Sequence, residues 1–215
     1  MITAHSGCDG TPDNSMAYLR YAFASDADCV EVDIRPDQNT LVLSHDPCET
    51  DAVTLKEAFT LLAQHPGKKM NCDLKTSGLE KKVYGLALEC GCERQLIYTG
   101  TVDPEGDHEI YAPVEIAMNI ENLCPEIYED LLQGVLSKRA APCLDFAAQH
   151  GIRVINLEYH LFDLIKEDLK KRNLSASVWT VNDASQAERF LNEALVSNIT
   201  TRNLKQALAI REKLC

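Results

Sequence analysis

Acidic residues recur at a spacing of two within short apolar segments in the first half of the chain. Glu31 and Asp33 alternate with valine and isoleucine, and Asp73 and Lys75 repeat that spacing further along. Side chains two residues apart on a β-strand project from the same face. Carboxylates gathered in an interior repel one another unless a cation compensates them. Three carboxylates without a thiol or imidazole cluster favour a hard ion, so Glu31, Asp33 and Asp73 are predicted to bind one divalent cation, Mg²⁺ or Ca²⁺.

Two purely structural interpretations compete with the metal site. Glu31 and Asp33 could form the solvated face of an edge strand. Asp73 and Lys75 could form a buried ion pair in the core of a barrel. The central place of these segments in the series of strands argues against the first interpretation, and the second stays open.

His5 and His45 are the candidate acid/base pair. His5 closes the first predicted strand, and His45 follows a short apolar strand that ends before Pro47. Imidazole exchanges protons near neutral pH, which suits both the base and the acid of a hydrolytic reaction. A lone histidine is more often a packed or surface residue, and Asp46 could be an ordinary turn residue. The assignment therefore depends on where the strands place these side chains.

Short apolar segments alternate with helical patterns along the whole chain. Strands are predicted at residues 2–5, 29–34, 70–75, 95–99, 114–119, 153–158, 176–181 and 195–200, and helices at 15–25, 55–64, 79–90, 126–136, 140–150, 162–172, 184–194 and 204–214. Strands that alternate with helices form right-handed βαβ units, and eight units close into a (β/α)8 barrel. An open doubly wound sheet is disfavoured because the residues after the first strand lack the GxGxxG pattern. In a barrel the active site lies at the carboxyl ends of the strands, where the polar residues named above fall.

Composition limits the class of protein and its partners. With 215 residues, 45% of them hydrophobic and 25% charged, the chain is predicted to form a single globular domain over 1–215. No apolar run approaches the roughly 20 residues that span a bilayer, and no signal-peptide pattern precedes the first strand. Nine cysteines without zinc-finger or paired spacing argue against a zinc site and a disulfide framework. These features predict a cytoplasmic protein without a membrane span.

The net charge of −12 repels nucleic acid and anionic lipid, so a small substrate is expected and a nuclease is disfavoured. No feature of the sequence indicates an oligomeric state.

The order of these motifs resembles that of the glycerophosphodiester phosphodiesterase family over nearly the whole chain. The family's His-Arg-Gly, Pro-Glu-Asn-Thr/Ser, Glu-x-Asp, His-Asp-Pro, Glu-x-Lys and Val-Trp-Thr-Val-Asn motifs correspond here to His5-Ser6-Gly7, Pro12-Asp13-Asn14-Ser15, Glu31-Val32-Asp33, His45-Asp46-Pro47, Asp73-Leu74-Lys75 and Val178-Trp179-Thr180-Val181-Asn182. Each motif alone is weak, whereas all of them in order are specific.

The resemblance implies a barrel enzyme that cleaves a glycerophosphodiester-like small substrate to an alcohol and a phosphomonoester or a cyclic phosphate. His5 and His45 would flank the scissile phosphate, one as base and the other as acid. Lys75 would neutralise phosphate oxygens and Trp179 would line the pocket, although a barrel-core aromatic is an equal interpretation of Trp179.

Three departures from the family pattern concern the substrate pocket. Ser6 stands where the family has an arginine that reaches the phosphate, and serine cannot supply a charged bidentate donor. The Thr-Asp that usually closes the family's final strand reads Thr201-Arg202 here. Only residues 48–53 separate His45-Asp46-Pro47 from the next helix. The family's small cap subdomain is therefore nearly deleted, and an open mouth is expected.

Asp73 also replaces the family's glutamate, although Asp73-Leu74-Lys75-Thr76 resembles the sphingomyelinase D-like branch of the same superfamily. The alternative to an enzyme is a catalytically impaired barrel that binds a phosphate-containing ligand without turnover. Retention of both histidines and of all three carboxylates favours the enzyme.

Overall fold

The computed structural model describes residues 1–47, 52–129 and 136–214. Its strands are β1 (Ile2–Ala4), β2 (Cys29–Asp37), β3 (Thr40–Leu43), β4 (Lys69–Leu74), β5 (Leu96–Gly100), β6 (Glu115–Asn119), β7 (Val154–Glu158), β8 (Ser175–Trp179) and β9 (Val196–Thr201). All except β3 are parallel, and β1 pairs with both β2 and β9, which closes the sheet. The predicted (β/α)8 barrel is confirmed, and each of its eight strands overlaps a predicted segment.

Helices surround the barrel. They are α1 (Met16–Ala24), α2 (Leu55–Leu62), α3 (Glu80–Cys90), α4 (Ile120–Leu123), α5 (Leu136–Gln149), α6 (Phe162–Lys171), α7 (Ala184–Leu191) and α8 (Leu204–Leu214). Most of the helix predicted at 126–136 lies outside the described residues, and so do residues 48–51, on which the expected loss of the cap depends. Among the helices described, none is long and apolar enough to cross a membrane.

Side-chain caps fix where several helices begin. Ser15 accepts a hydrogen bond from the backbone of Tyr18 at the start of α1, and Thr54 and Glu57 form a reciprocal capping box at the start of α2. Asp183 accepts hydrogen bonds from two backbone amides of α7. Each cap satisfies amide groups that the first helical turn leaves unpaired, which stabilises a helix by about 1 kcal/mol.

The two faces of β2 explain why the chain folds as it does here. Val30, Val32 and Ile34 are fully buried in the main hydrophobic cluster between the barrel and its helices. Glu31 and Asp33 take the other face, which points into the barrel. The alternation that the sequence predicted is confirmed, and the edge-strand interpretation of these two carboxylates is wrong because β2 is paired on both sides.

Polar side chains fill much of the barrel interior. Thr3 donates to Asn198 at 2.7 Å, and Thr99 donates to Asn71 at 2.9 Å. Because these groups are buried and hydrogen-bonded to one another across strands, they hold the register of the barrel beneath the site without leaving polar atoms unpaired.

Candidate active site

One cavity of about 500 Å³ opens at the carboxyl ends of the barrel strands, and we call it the mouth. Every residue that the sequence patterns proposed for the site contributes to its lining: His5, Glu31, Asp33, His45, Asp73, Lys75 and Trp179. A neighbouring cavity of about 580 Å³ shares Thr101 and Asn122 with the mouth. The polar residues that close the strands are therefore collected in one place, as the barrel topology requires.

Three carboxylates form the centre of the mouth. One carboxylate oxygen from each of Glu31, Asp33 and Asp73 lies within 4.8 Å of the other two. Asp33 and Asp73 are direct partners in the pairing of β2 with β4, which brings their side chains together. Glu31 and Asp33 are 7% and 2% exposed. The sheet register thus brings together oxygen ligands from two strands that are far apart in sequence, two of them buried and that of Asp73 half-buried.

Lys75 extends over two of these carboxylates. Its Nζ lies 2.8 Å from Asp33 Oδ1 and 2.6 Å from Asp73 Oδ2. Burial would lower the pKa of Lys75, but the charges of Asp73 and Asp33 raise it above its ordinary value, so the ammonium stays protonated. Burial would likewise raise the pKa of Asp33, yet Lys75 and a hydrogen bond from Asn14 hold it below its usual range. The ion pair that the sequence left open is present, within the acidic cluster.

Glu31 is the carboxylate that Lys75 does not reach. Burial, with the charges of Asp73 and Asp33, raises the pKa of Glu31 well above its usual value. The His5 Nε2 lies 3.9 Å from Glu31 Oε1. Lys75 contacts only two of the three carboxylates, and all of the ligand atoms are hard oxygens. Both properties fit a divalent cation such as Mg²⁺ or Ca²⁺.

Neighbouring groups orient Asp33 from below. Asn14 Nδ2 donates to Asp33 Oδ2 at 2.7 Å, and Asn14 Oδ1 accepts from the backbone amide of Asp33 at 3.0 Å. Ser6 Oγ donates to the same carboxylate oxygen at 3.2 Å. Ser6 is 1% exposed, so its side chain supports Asp33 and does not enter the mouth. Such outer hydrogen bonds fix the direction of a metal ligand.

The two histidines occupy different depths. The His5 side chain is 20% exposed, its Nδ1 lies 3.3 Å from Ser6 Oγ, and its Nε2 faces Glu31. Burial lowers the pKa of His5. His45 lies on the rim with its side chain 67% exposed, and its Nδ1 is 3.2 Å from Asp46 Oδ1. His5 contacts the acidic cluster, whereas His45 approaches the mouth from the solvent side.

The opposite wall of the mouth holds residues that the sequence patterns did not identify. Asn119 donates to Glu121 Oε1 at 2.9 Å, and the Asn156 side chain lies 2.8 Å from Asn119 Oδ1 and 3.2 Å from Trp179 Nε1. Burial raises the pKa of Glu121. Asn119 closes β6 and Asn156 lies on β7, so strand-end position could have identified them. Trp179 joins this polar wall and is only partly buried.

Gly100 ends β5 directly against Asp73, with a backbone φ of +76°. A β-carbon at this position would lie 2.2 Å from Asp73 Oδ1 and 2.4 Å from the Leu74 carbonyl oxygen. We therefore expect Gly100→Ala to lower the free energy of unfolding by about 2–5 kcal/mol, through backbone strain and overpacking, and to weaken divalent-ion binding by moving Asp73. Urea denaturation and calorimetric titration with Mn²⁺ measure the two effects.

Gly151 provides the matched control for this substitution. It has nearly the same φ, +77°, but among the described residues no neighbouring group lies within 4 Å of where a β-carbon would stand. Gly151→Ala should therefore cost only the backbone strain of about 1–2 kcal/mol. Equal losses of stability in the two variants, with ion binding unchanged in both, would contradict the steric role of Gly100.

Solved structures with the same fold match over nearly the whole chain. A glycerophosphodiester phosphodiesterase from Parabacteroides distasonis has a TM-score of 0.73 and 16% identity, covering 100% of this chain and 98% of its own. A putative glycerophosphoryl diester phosphodiesterase from Agrobacterium tumefaciens has a TM-score of 0.76 and 17% identity, covering 99% and 97%. A phosphodiesterase from Oleispira antarctica in complex with the product sn-glycerol-3-phosphate has a TM-score of 0.71 and 17% identity, covering 99% and 96%.

No family model matches the sequence, and no curated protein matches it either. At these identities the similarity establishes the fold that the sequence motifs led us to expect, while the chemistry has to be argued from the side chains in the mouth.

Proposed function

We propose that the protein is a metal-dependent phosphodiesterase that cleaves a glycerophosphodiester-like small substrate to an alcohol and a phosphomonoester or a cyclic phosphate. The observation that carries the proposal is the contact of His5 with a buried three-carboxylate cluster inside a mouth that His45 also lines. The three similar structures described above bear the names of phosphodiesterases, and one of them is in complex with sn-glycerol-3-phosphate. The net charge of −12 supports a small substrate over nucleic acid.

Glu31, Asp33 and Asp73 would bind one Mg²⁺ or Ca²⁺. When bound, such an ion supplies Lewis-acid stabilisation of the negative charge that develops on the phosphoryl oxygens. The protein's own part is to hold the three carboxylates at a common point. Asn14 and Ser6 do this for Asp33 through the hydrogen bonds described above.

Lys75 would add to that stabilisation. An ammonium group has three donors, and Asp33 and Asp73 accept from two of them. The third is available to a non-bridging phosphate oxygen. A positive charge fixed in this way by carboxylates needs little reorganisation as negative charge grows at phosphorus.

His5 would act as the general base. Its lowered pKa favours the neutral imidazole, which can accept a proton from water or from a neighbouring substrate hydroxyl. The new bond to phosphorus forms from that oxygen, and the bond between phosphorus and the leaving alcohol breaks. His45, on the solvent side, would donate the proton that the leaving oxygen takes up. Water as nucleophile gives a phosphomonoester, and a substrate hydroxyl gives a cyclic phosphate.

A binding barrel without turnover is the alternative from a different class. It accounts for Ser6 in place of the family arginine but gives no role to a histidine seated against the acidic cluster. Phosphorus NMR of the purified protein with glycerophosphodiesters and Mg²⁺, Ca²⁺ or Mn²⁺ distinguishes the two. We expect the diester signal to be replaced by that of a monoester or a cyclic phosphate. Binding of inorganic phosphate without cleavage under any of these ions would establish the binding barrel instead.

A reducing compartment such as the cytoplasm suits the cysteines. The cysteines described are free thiols: Cys8, Cys29, Cys72, Cys90, Cys92, Cys124 and Cys143. Burial raises the pKa of Cys8 to about 12, which keeps that thiol protonated and unreactive.

A further inference from the structure

A second permanent cation lies in the mouth, on the side away from Lys75. Arg202 directly follows β9, and its side chain lines the same cavity as His5 and Glu31. Its Nη1 and Nη2 donate to the two carboxylate oxygens of Asp13 at 2.9 Å and 3.0 Å. A two-pronged contact of this kind fixes the plane of the guanidinium as well as its position. Arg202 is therefore held at one edge of the mouth.

The loop that carries Asp13 is shaped to make this contact. Gly7 has a φ of +74°, and a β-carbon there would lie 1.8 Å from Asp13 Oδ1, so only glycine leaves room for the carboxylate. The backbone amide of Arg202 donates to Asn182 Oδ1 at 2.8 Å, which fixes the other end of the residue. Because both ends are held before any ligand arrives, little side-chain entropy remains to be lost on binding.

The donors of Arg202 are not exhausted by Asp13. A guanidinium has five N–H groups, and Asp13 accepts two of them. By contrast, Ser6 is buried, donates to Asp33 and does not line the mouth. Ser6 therefore supplies no cationic donor to the mouth, whereas Arg202 does.

We propose that Arg202, preorganised by Asp13, binds the phosphate group of the substrate and of the product. The ligand class is a phosphate mono- or diester, bound between Arg202 on one side and Lys75 on the other. This inference rests on the proposed function for its substrate, but anion binding by Arg202 can be measured without turnover.

The test compares Arg202→Gln with a matched control at the other end of the barrel. Arg211 pairs with Asp28 at 2.7 Å, so Arg211→Gln removes the same charge and also breaks an arginine–aspartate pair. We expect Arg202→Gln to raise both the KM for a glycerophosphodiester and the inhibition constant of inorganic phosphate by about tenfold to a hundredfold, as for a lost charge-assisted hydrogen bond. Arg202→Lys should recover part of this loss because it keeps the charge without the planar fork. Arg211→Gln should change neither constant.

The outcomes separate this proposal from the proposed function. If the unaltered protein cleaves the diester and Arg202→Gln leaves both constants unchanged, the role of Arg202 is wrong and the phosphodiesterase stands. If the unaltered protein cleaves nothing, yet calorimetry detects phosphate binding that Arg202→Gln abolishes, phosphate binding by Arg202 is supported and the proposed phosphodiesterase activity is rejected. If Arg202→Gln and Arg211→Gln raise the constants equally, the effect is one of stability and the proposal is overturned.

Discussion

His5→Ala should lower the turnover of a glycerophosphodiester by about 10²–10⁴-fold while the barrel stays folded, because the reaction loses a positioned proton acceptor. His5 contacts Glu31 and Ser6 but belongs to no helix and contributes little to the hydrophobic core, so its removal should leave the unfolding midpoint nearly unchanged. His45→Ala should cause a loss of similar size from the rim. Steady-state kinetics and thermal unfolding of the same preparations measure both effects.

His65 supplies the matched control for the histidine substitutions. It stacks on Phe23 with ring centroids 5.0 Å apart and does not line the mouth. His65→Ala should therefore leave turnover unchanged, although it can lower stability. Turnover that survives both His5→Ala and His45→Ala would reject the acid/base pair.

A substrate with an activated leaving group distinguishes the acid from the base. A nitrophenolate departs without being protonated, so a general acid contributes little to its release. With a nitrophenyl phosphodiester, we expect His45→Ala to regain most of the lost rate and His5→Ala to stay slow. If His5→Ala regained the rate and His45→Ala stayed slow, His45 would be the base and His5 the acid.

Asp33→Asn should lower the affinity for Mg²⁺ or Mn²⁺ by about a hundredfold or more, since even outer groups around a metal ligand contribute about tenfold to a hundredfold. The substitution keeps the size of the side chain and removes the negative charge that pairs with Lys75 and would bind the ion. Asn14→Ala should cause a smaller loss, because Asp33 stays in place but loses the donor at 2.7 Å. Calorimetric titration with Mn²⁺ gives the affinities.

Asp37 provides the control for the acidic cluster because it lies on the same strand, β2, and is exposed. Asp37→Asn removes one unit of negative charge from the protein without touching the mouth. Its Mn²⁺ affinity should match that of the unaltered protein. Equal affinities in Asp33→Asn and the unaltered protein would exclude Asp33 as a ligand.

The sequence was sufficient to predict the fold and the meeting of three carboxylates inside the barrel. Alternation on β2 places Glu31 and Asp33 on the face opposite the buried valines, and parallel pairing then aligns Asp33 with Asp73. The first step follows from the period of a strand, whereas the second depends on the register between β2 and β4, which the structure supplies. The alternating pattern therefore indicated which carboxylates face the interior, and the pairing of the strands brings them together.

Residues whose role depends on closure of the barrel were harder to predict. Arg202 lies near the end of the chain and Asp13 near its start, so their ion pair forms only because β9 pairs with β1. Asn119 and Asn156 carry no charge, and their place opposite the acidic cluster is set by the circular order of strands. The sequence showed only that Ser6 stands in place of an arginine. Its burial beneath Asp33 depends on side-chain direction, which strand periodicity does not supply just after a three-residue strand.

The most direct test of the account is the turnover of a glycerophosphodiester as a function of free Mg²⁺, Ca²⁺ or Mn²⁺ after the protein has been stripped with a chelator. We predict no turnover in the stripped protein, saturable recovery as one of these ions is added, and a shift of the recovery to higher ion concentration in Asp33→Asn. Undiminished turnover in the stripped protein would contradict a metal-dependent site formed by Glu31, Asp33 and Asp73.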